Sequence, residues 1–245
     1  MVLSIVIPSF QQAALLANAL ASIQQQTFKD YEVLVMDGGS TDATSEIVSS
    51  FKDCNIRFYS EPDNGIYDAM NKGISLSRGE FLYFMGCDDV LASENVLSDI
   101  FCDRSNLDNH IIYGDVIFTK NGKRYDGMFT NMKLISRNIC HQAIFTRRLV
   151  FDRIGKFNIR YKYLADYEFN IKCFNSKWVK MKYINEIIAY YNNDGSSFNN
   201  SDDAFNEDLY AIQKNFFPDI VRFLYNRRNN KLIAYLILLA EKYHI

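Results

Sequence analysis

The sequence predicts an α/β protein: a mostly parallel, doubly wound sheet flanked by helices, with a small antiparallel portion and a helical C-terminal tail. Three observations predict it. Short apolar, β-branched runs alternate with helix-period segments through the first ninety residues. Polar residues follow each of the first four predicted strands. After Asp89 the rhythm gives way to hairpin signals.

Residues 2–7, Val2-Leu3-Ser4-Ile5-Val6-Ile7, form a run stopped by Pro8, as suits a strand covered on both faces. Residues 11–26 carry Leu15, Leu16, Ala19, Leu20 and Ile23 at helical spacing. A second strand, 31–36, ends in Asp37-Gly38-Gly39-Ser40-Thr41-Asp42, a loop able to cap a helix over 44–51. Residues 55–59 form a third strand. The turn Pro62-Asp63-Asn64-Gly65 then enters a helix with Ile66, Met70, Gly73 and Ile74 on one face, and 80–85 is the fourth strand. Beyond lie a helix over 94–102 and strands over 111–119 and 124–129 joined at Asn121-Gly122. A segment at 141–145, a helix over 164–175 and two strands, 179–183 and 187–191, complete the predicted core.

A formal net charge of −2 over 245 residues marks no nucleic-acid binder. Five widely spaced cysteines, Cys54, Cys87, Cys102, Cys140 and Cys173, read as reduced thiols of a cytosolic protein rather than a metal or disulfide framework. Residues 1–8 lack a basic leader and read as a strand, not a signal peptide. The apolar stretch 232–240 is far shorter than the roughly 20 residues a membrane span needs.

The polar strand ends are Ser9, Asp37, Glu61 with Asp63, and Asp88-Asp89. Ligands of open parallel sheets sit beyond the carboxyl ends of the strands. Each residue alone also reads as a loop cap; four successive ends on one rim point to a site. Adjacent carboxylates repel unless a cation or hydrogen-bond donors offset them. Hard cations such as Mg²⁺ and Mn²⁺ take one or two carboxylates together with substrate phosphates. No G-x-G-x-x-G or G-x-x-x-x-G-K-[ST] loop follows the first strand, where Ser9-Phe10-Gln11-Gln12 stands, which disfavours a dinucleotide oxidoreductase and a P-loop NTPase. The cation is then the main diphosphate anchor, aided by Lys72 or Arg78.

The segments Leu3-Ser4-Ile5-Val6-Ile7-Pro8-Ser9-Phe10, Val35-Met36-Asp37-Gly38-Gly39-Ser40-Thr41-Asp42, the run from Glu61-Pro62-Asp63-Asn64-Gly65 through Ile66-Tyr67-Asp68-Ala69-Met70-Asn71-Lys72-Gly73, and Gly86-Cys87-Asp88-Asp89 together resemble family 2 glycosyltransferases of GT-A fold, particularly those of bacterial polysaccharide and lipopolysaccharide biosynthesis. The resemblance spans residues 1–190. It implies a Rossmann-like sheet and a hexosyltransferase in which a nucleotide half (1–90) and an acceptor half (91–195) make one domain, with 196–245 as tail.

By that resemblance Ser9 and Asp37 border the base and ribose, and Asp68, Asn71 and Lys72 lie near the ribose or diphosphate. Asp88 and Asp89 match the D-x-D-type element, with Asp89 the metal ligand before Asp88, and His141 in Cys140-His141-Gln142-Ala143 contacts metal or diphosphate. Asp166, in Ala165-Asp166-Tyr167-Glu168-Phe169, resembles the general base; a bland alternative is a helix N-terminal charge. Glu168 points away. Two positions depart from the family pattern: Gly86 stands where the first Asp is common, and Gln11 where Asn is usual.

The implied activity is inverting transfer from a UDP-sugar, with Mn²⁺ or Mg²⁺, to a saccharide or lipid-linked saccharide in the cytoplasm. The apolar and basic tail leaves open contact with the inner membrane surface, and a homo-oligomer stays open too. A sugar-nucleotide nucleotidyltransferase is the runner-up but lacks its Gly-rich basic loop. A hydrolase would need two opposed carboxylates, and a non-catalytic nucleotide-sugar-binding module is the third class.

Overall fold

A computed structural model describes residues 1–52, 55–192, 201–231, 233–235 and 237. The first part builds β1 (Leu3–Ser9), α1 (Ala13–Gln24), β2 (Tyr31–Asp37), α2 (Thr44–Ser50), β3 (Ile56–Ser60), α3 (Ile66–Leu76) and β4 (Phe81–Phe84). Next come β5 (Val90–Leu91), α4 (Val96–Phe101), β6 (Ile111–Phe118), β7 (Arg124–Tyr125) and α5 (Asn131–Leu134). A 3₁₀ turn (His141–Ala143), β8 (Ile144–Arg147), α6 (Arg148–Ile154), α7 (Ala165–Phe174) and β9 (Met181–Tyr191) follow. Helices α8 (Asp203–Phe216) and α9 (Asp219–Asn226) lie C-terminal to the sheet.

The strands make one sheet in the order β3-β2-β1-β4-β8-β6-β9-β5, with β7 on β6. It is parallel through β3, β2, β1 and β4, and again between β6 and β9; β8, β7 and β5 pair antiparallel. Every residue of β1 and β2 is buried because helices cover both faces. Val6, Leu34 and Met36 face one apolar layer with α3, while Leu3, Ile5, Ile7, Val33 and Val35 face the other with α1. This is the two-residue side-chain alternation of a strand. Gly73 sets the approach of α3, since a Cβ there would stand 2.4 Å from Val6 Cγ1.

Several details differ from the sequence reading. Leu15 and Ile66, predicted on buried faces, are exposed; Tyr67, Met70 and Ile74 carry the inner face of α3. The two strands predicted over 179–191 are one. Between Tyr113/Tyr183 and Asp115/Ile187 the longer β9 side bulges, with Asn185 and Glu186 exposed and the Glu186 carbonyl over Gly114, where a Cβ would meet it at 2.6 Å. The hairpin at Asn121-Gly122 forms, with Gly122 at φ 66°, but its second strand stops at Tyr125. The Asp126 and Gly127 amides donate instead to the buried Asp115 carboxylate, at 3.1 and 2.6 Å.

The tail helices pack on the domain: the Phe205 ring stacks on Tyr167, centroids 5.4 Å apart, and Val221 of α9 is buried. Cys54, the glycine-serine segment 195–197 and most of 232–240 lie outside the described residues. Among the described residues no helix is long and apolar enough to cross a membrane.

Candidate active site

Sheet register sets the donor-side rim. Ser9 pairs with Asp37 across β1 and β2, and Asp37 with Ser60 across β2 and β3, so three polar strand ends stand in a row. Asp37 is buried, and its carboxylate is spent on its surroundings. Oδ2 accepts from the Gly39 and Ser40 amides (3.2 and 2.9 Å) and the Ser60 hydroxyl (2.6 Å), and Oδ1 accepts from the Ser40 hydroxyl at 2.5 Å. A carboxylate has about four acceptor positions; Asp37 accepts four bonds, three of them crowded on Oδ2. Asp42 does similar local work, accepting from the Ala13 amide at the start of α1 and from the Thr44 hydroxyl at the start of α2. Gln11, at φ 55°, donates to Ser40 and Thr41 in the same loop cluster.

The acid pair follows β4, and its two members differ. Asp89 is 0% exposed. It accepts from the Gly86 amide (3.0 Å), Gln142 Nε2 (2.9 Å) and the Asn192 amide (3.2 Å). Burial, then the charge of Asp88, push its pKa up to about 6, while donation from Gln142 pulls the other way. Asp88 is half-buried and accepts from Asn192 Nδ2 at 3.1 Å. Gly86 has a steric reason: a Cβ there would stand 2.7 Å from Asp89 Oδ2 and 2.8 Å from Asp88 Oδ1. A side chain at this position would collide with the pair as it is arranged. The sequence ranked Asp89 ahead of Asp88 as metal ligand; the burial and hydrogen bonds of Asp89 make Asp88 the more available carboxylate.

On α3, Asp68 accepts from the Asn64 amide at 3.0 Å, which together with Lys72 holds its carboxyl below the usual range. Lys72 bridges to Glu61 (2.9 Å) and Asp68 (3.6 Å). Asn71 turns the other way, clasping the Phe157 backbone through Nδ2 (2.8 Å) and Oδ1 (3.0 Å). It works as a brace between α3 and the loop after α6.

A cleft of about 670 Å³ opens between the start of α3, the 138–142 turn and the 159–164 loop. Of the predicted residues, Asp68, His141 and Asp166 line it; Ser9, Asp37, Asn71, Lys72, Asp88 and Asp89 do not. Asp166 is buried at the first turn of α7. Its Oδ1 lies 2.7 Å from the Tyr67 hydroxyl, and its Oδ2 accepts from Asn138 Nδ2 at 2.7 Å. Burial, then the Asp166 charge, raise the Tyr67 pKa far above its ordinary value, so the phenol stays protonated as a donor. Asn170 Nδ2 donates to Asn138 Oδ1 at 2.8 Å, which orients the Asn138 amide. Among the described residues two acceptor positions of Asp166 remain unspent, enough to take a proton from a hydroxyl in the cleft.

His141 Nδ1 lies 3.5 Å from Asp166 Oδ2, so the predicted metal contact sits against the predicted base. Among the described residues no three His, Cys, Asp or Glu side chains converge as a metal site. Glu168 pairs with Lys172 one turn along and stays out of the cleft lining. Tyr67, Asn138, Gln142 and Asn192 were not singled out from the sequence as site residues. Tyr67 and Gln142 do lie inside recognised segments; Asn138 carries no local signal, since its partners stand 28 and 32 residues away.

The model of the glycosyl transferase family 2 matches residues 4–187. A "PGL/p-HBAD biosynthesis glycosyltransferase" of Mycobacterium bovis is 40% identical over 201 residues, covering 80% of this chain and 78% of the relative. The structure of S. aureus TarS 1–349 in complex with UDP superposes at TM-score 0.73 and 19% identity, over 93% of this chain and 71% of that one. A longer TarS chain is matched over only 37% of its length, at TM-score 0.69 and 19% identity over 78% of this chain. The mannosyltransferase PcManGT from Pyrobaculum calidifontis, in complex with GDP-Man and Mn²⁺, superposes at TM-score 0.64 and 14% identity over 85% of this chain and 68% of that one.

Proposed function

The chain belongs to glycosyl transferase family 2 and is a glycosyltransferase, and on that premise we propose that it moves a hexose from a UDP-sugar to an acceptor hydroxyl that Asp166 deprotonates. The observation that carries this reading is the turn at 141–142. His141 stands against the Asp166 carboxylate while Gln142 donates to Asp89, so two adjacent residues tie the base candidate to the acid pair. In the proposed step the acceptor oxygen bonds to the anomeric carbon as the bond to the diphosphate breaks. The proton passes to Asp166 and the charge leaves with the diphosphate, inverting the centre.

Asp88, with Asp89 behind it, has the donor chemistry to hold Mn²⁺ or Mg²⁺ brought in with the diphosphate, because such cations need only one or two protein carboxylates. A cation held there would supply positive charge to offset that of the departing group. UDP in TarS supports the choice of nucleotide, and Mn²⁺ in PcManGT the choice of metal. Ser9, Asp37, Asp68 and Lys72 are proposed on the nucleotide side, Asp37 through the loop it organises and Asn71 through its brace. His141 is proposed as a diphosphate contact next to the base.

The acceptor is proposed to be a saccharide or lipid-linked saccharide of a surface polysaccharide, reached from the cytoplasm. Exposed Ile220 and Phe223 beside Arg227 and Arg228 on and after α9 support peripheral contact with anionic lipid.

The test is a thermal-shift and turnover screen against UDP-glucose, UDP-GlcNAc and GDP-mannose with Mn²⁺, Mg²⁺ or EDTA. The expected result is stabilisation by UDP compounds with metal only. Equal stabilisation in EDTA would remove the metal role, and a response to GDP-mannose alone would remove UDP.

A further inference from the structure

The family match ends at residue 187, yet Asp202 beyond it reaches the cleft wall. Its carboxylate is 3% exposed. Oδ2 accepts from the Tyr163 amide at 2.7 Å and the Leu164 amide at 3.0 Å, and Oδ1 from the Phe205 amide at the start of α8 at 3.3 Å. Leu164 is the residue before α7, where no side chain of its own segment caps the helix. Amides at such an end need a partner from elsewhere, and a carboxylate is a strong one. On the other side of the same peptides, the Tyr163 carbonyl lies 2.8 Å from the Tyr67 hydroxyl, whose one proton it shares with Asp166 Oδ1.

The rest of the wall is fastened to the same helix. Arg160 pairs with Glu207 and Asp208, the Tyr161 hydroxyl donates to Asp208 at 2.8 Å, and the Tyr161 and Tyr167 rings pack on Phe205.

We infer that Asp202 is a positioning residue for sugar transfer: it fixes the 163–164 turn and, through it, the Asp166 carboxylate. The inference rests on the reading of Asp166 as base. Without the Asp202 carboxylate the two amides must move to find partners, and a displacement of about 1 Å at a catalytic group can cost roughly 10²-fold in rate.

The experiment compares Asp202→Ala and Asp202→Asn, each with and without Asp166→Asn. It follows initial rates with whichever of UDP-glucose, UDP-GlcNAc and GDP-mannose the wild type turns over, UDP affinity by calorimetry, and amide exchange across 159–166. Asp202→Ala should lower kcat about 10–100-fold, leave UDP affinity within about twofold, and speed exchange at 163 and 164 but not in β1–β4. Asp202→Asn keeps one oxygen for those amides and should regain most of the rate. In the Asp166→Asn background the alanine should add less than about threefold. Unchanged exchange, a rate loss matched by lost UDP affinity, or a full loss persisting in that background overturns the inference. An inactive Asp166→Asn beside a fully active Asp202→Ala sinks it alone, whereas a fully active Asp166→Asn sinks the base reading and this inference with it.

Discussion

Asp37 and Asp166 are both buried carboxylates, and they are held in opposite ways. Asp37 takes its partners from Gly39 and Ser40, two and three residues on, and from Ser60 on the neighbouring strand, four bonds in all. Asp166 takes one donor from a helix 99 residues earlier and one from a turn 28 residues earlier, and half its capacity is left open. The four-donor carboxylate builds a loop. The undersaturated one is held in place by distant parts and remains able to accept a proton. Asp89 and Asp88 repeat the contrast within one dipeptide: three donors on the buried member, one on the half-buried member.

The largest effect that would break this comparison is on turnover. Asp166→Asn should cut kcat by roughly 10²–10⁴-fold, the range of general-base catalysis, with UDP affinity and melting temperature nearly unchanged. Parallel rate and calorimetric titrations check it, and a kcat within a few-fold of wild type would make Asp166 another structural carboxylate.

Asp37→Ala should do the reverse, first to stability. It strands two amides and two hydroxyls, a loss of about 3 kcal/mol. At roughly 2–4 °C per kcal/mol for a chain of this size, a thermal melt should show it clearly, with donor affinity falling as the loop loosens. A mutant as stable as the parent would show that the loop holds itself.

Tyr67→Phe sharpens the contrast. Removing one donor to Asp166 should cost about 1 kcal/mol of stability and lower kcat more than it raises the donor KM. A change confined to KM would place Tyr67 on the donor side only.

The smallest effect concerns Gln11, whose φ of 55° lies where Asn is better tolerated than other side chains. Gln11→Asn should raise stability by no more than about 1 kcal/mol, offset in part by the lost bond to Thr41. Denaturant titration would detect a change of opposite sign, which would assign the larger share to that bond.

By itself the sequence determined what depends on near neighbours. The alternation of apolar runs and helix-period segments specified the parallel half, because side-chain periodicity and burial on both faces are properties of a few consecutive residues. It also brought Ser9, Asp37 and the Asp88-Asp89 pair to one set of strand ends, and Asn121-Gly122 to a hairpin. It could not show that β9 runs unbroken through Asn185 and Glu186, since the bulge depends on Gly114 in another strand. It ranked Asp89 before Asp88 as metal ligand but could not show which of the two is buried and bonded, a difference that comes from Gln142 and Asn192 more than fifty residues on. Only the tertiary structure decided that Asn71 braces a loop, that His141 faces Asp166, and that Asp202 reaches the turn before α7. Which lone pairs of a carboxylate stay free is set by every chain segment packed around it, and no local pattern records that.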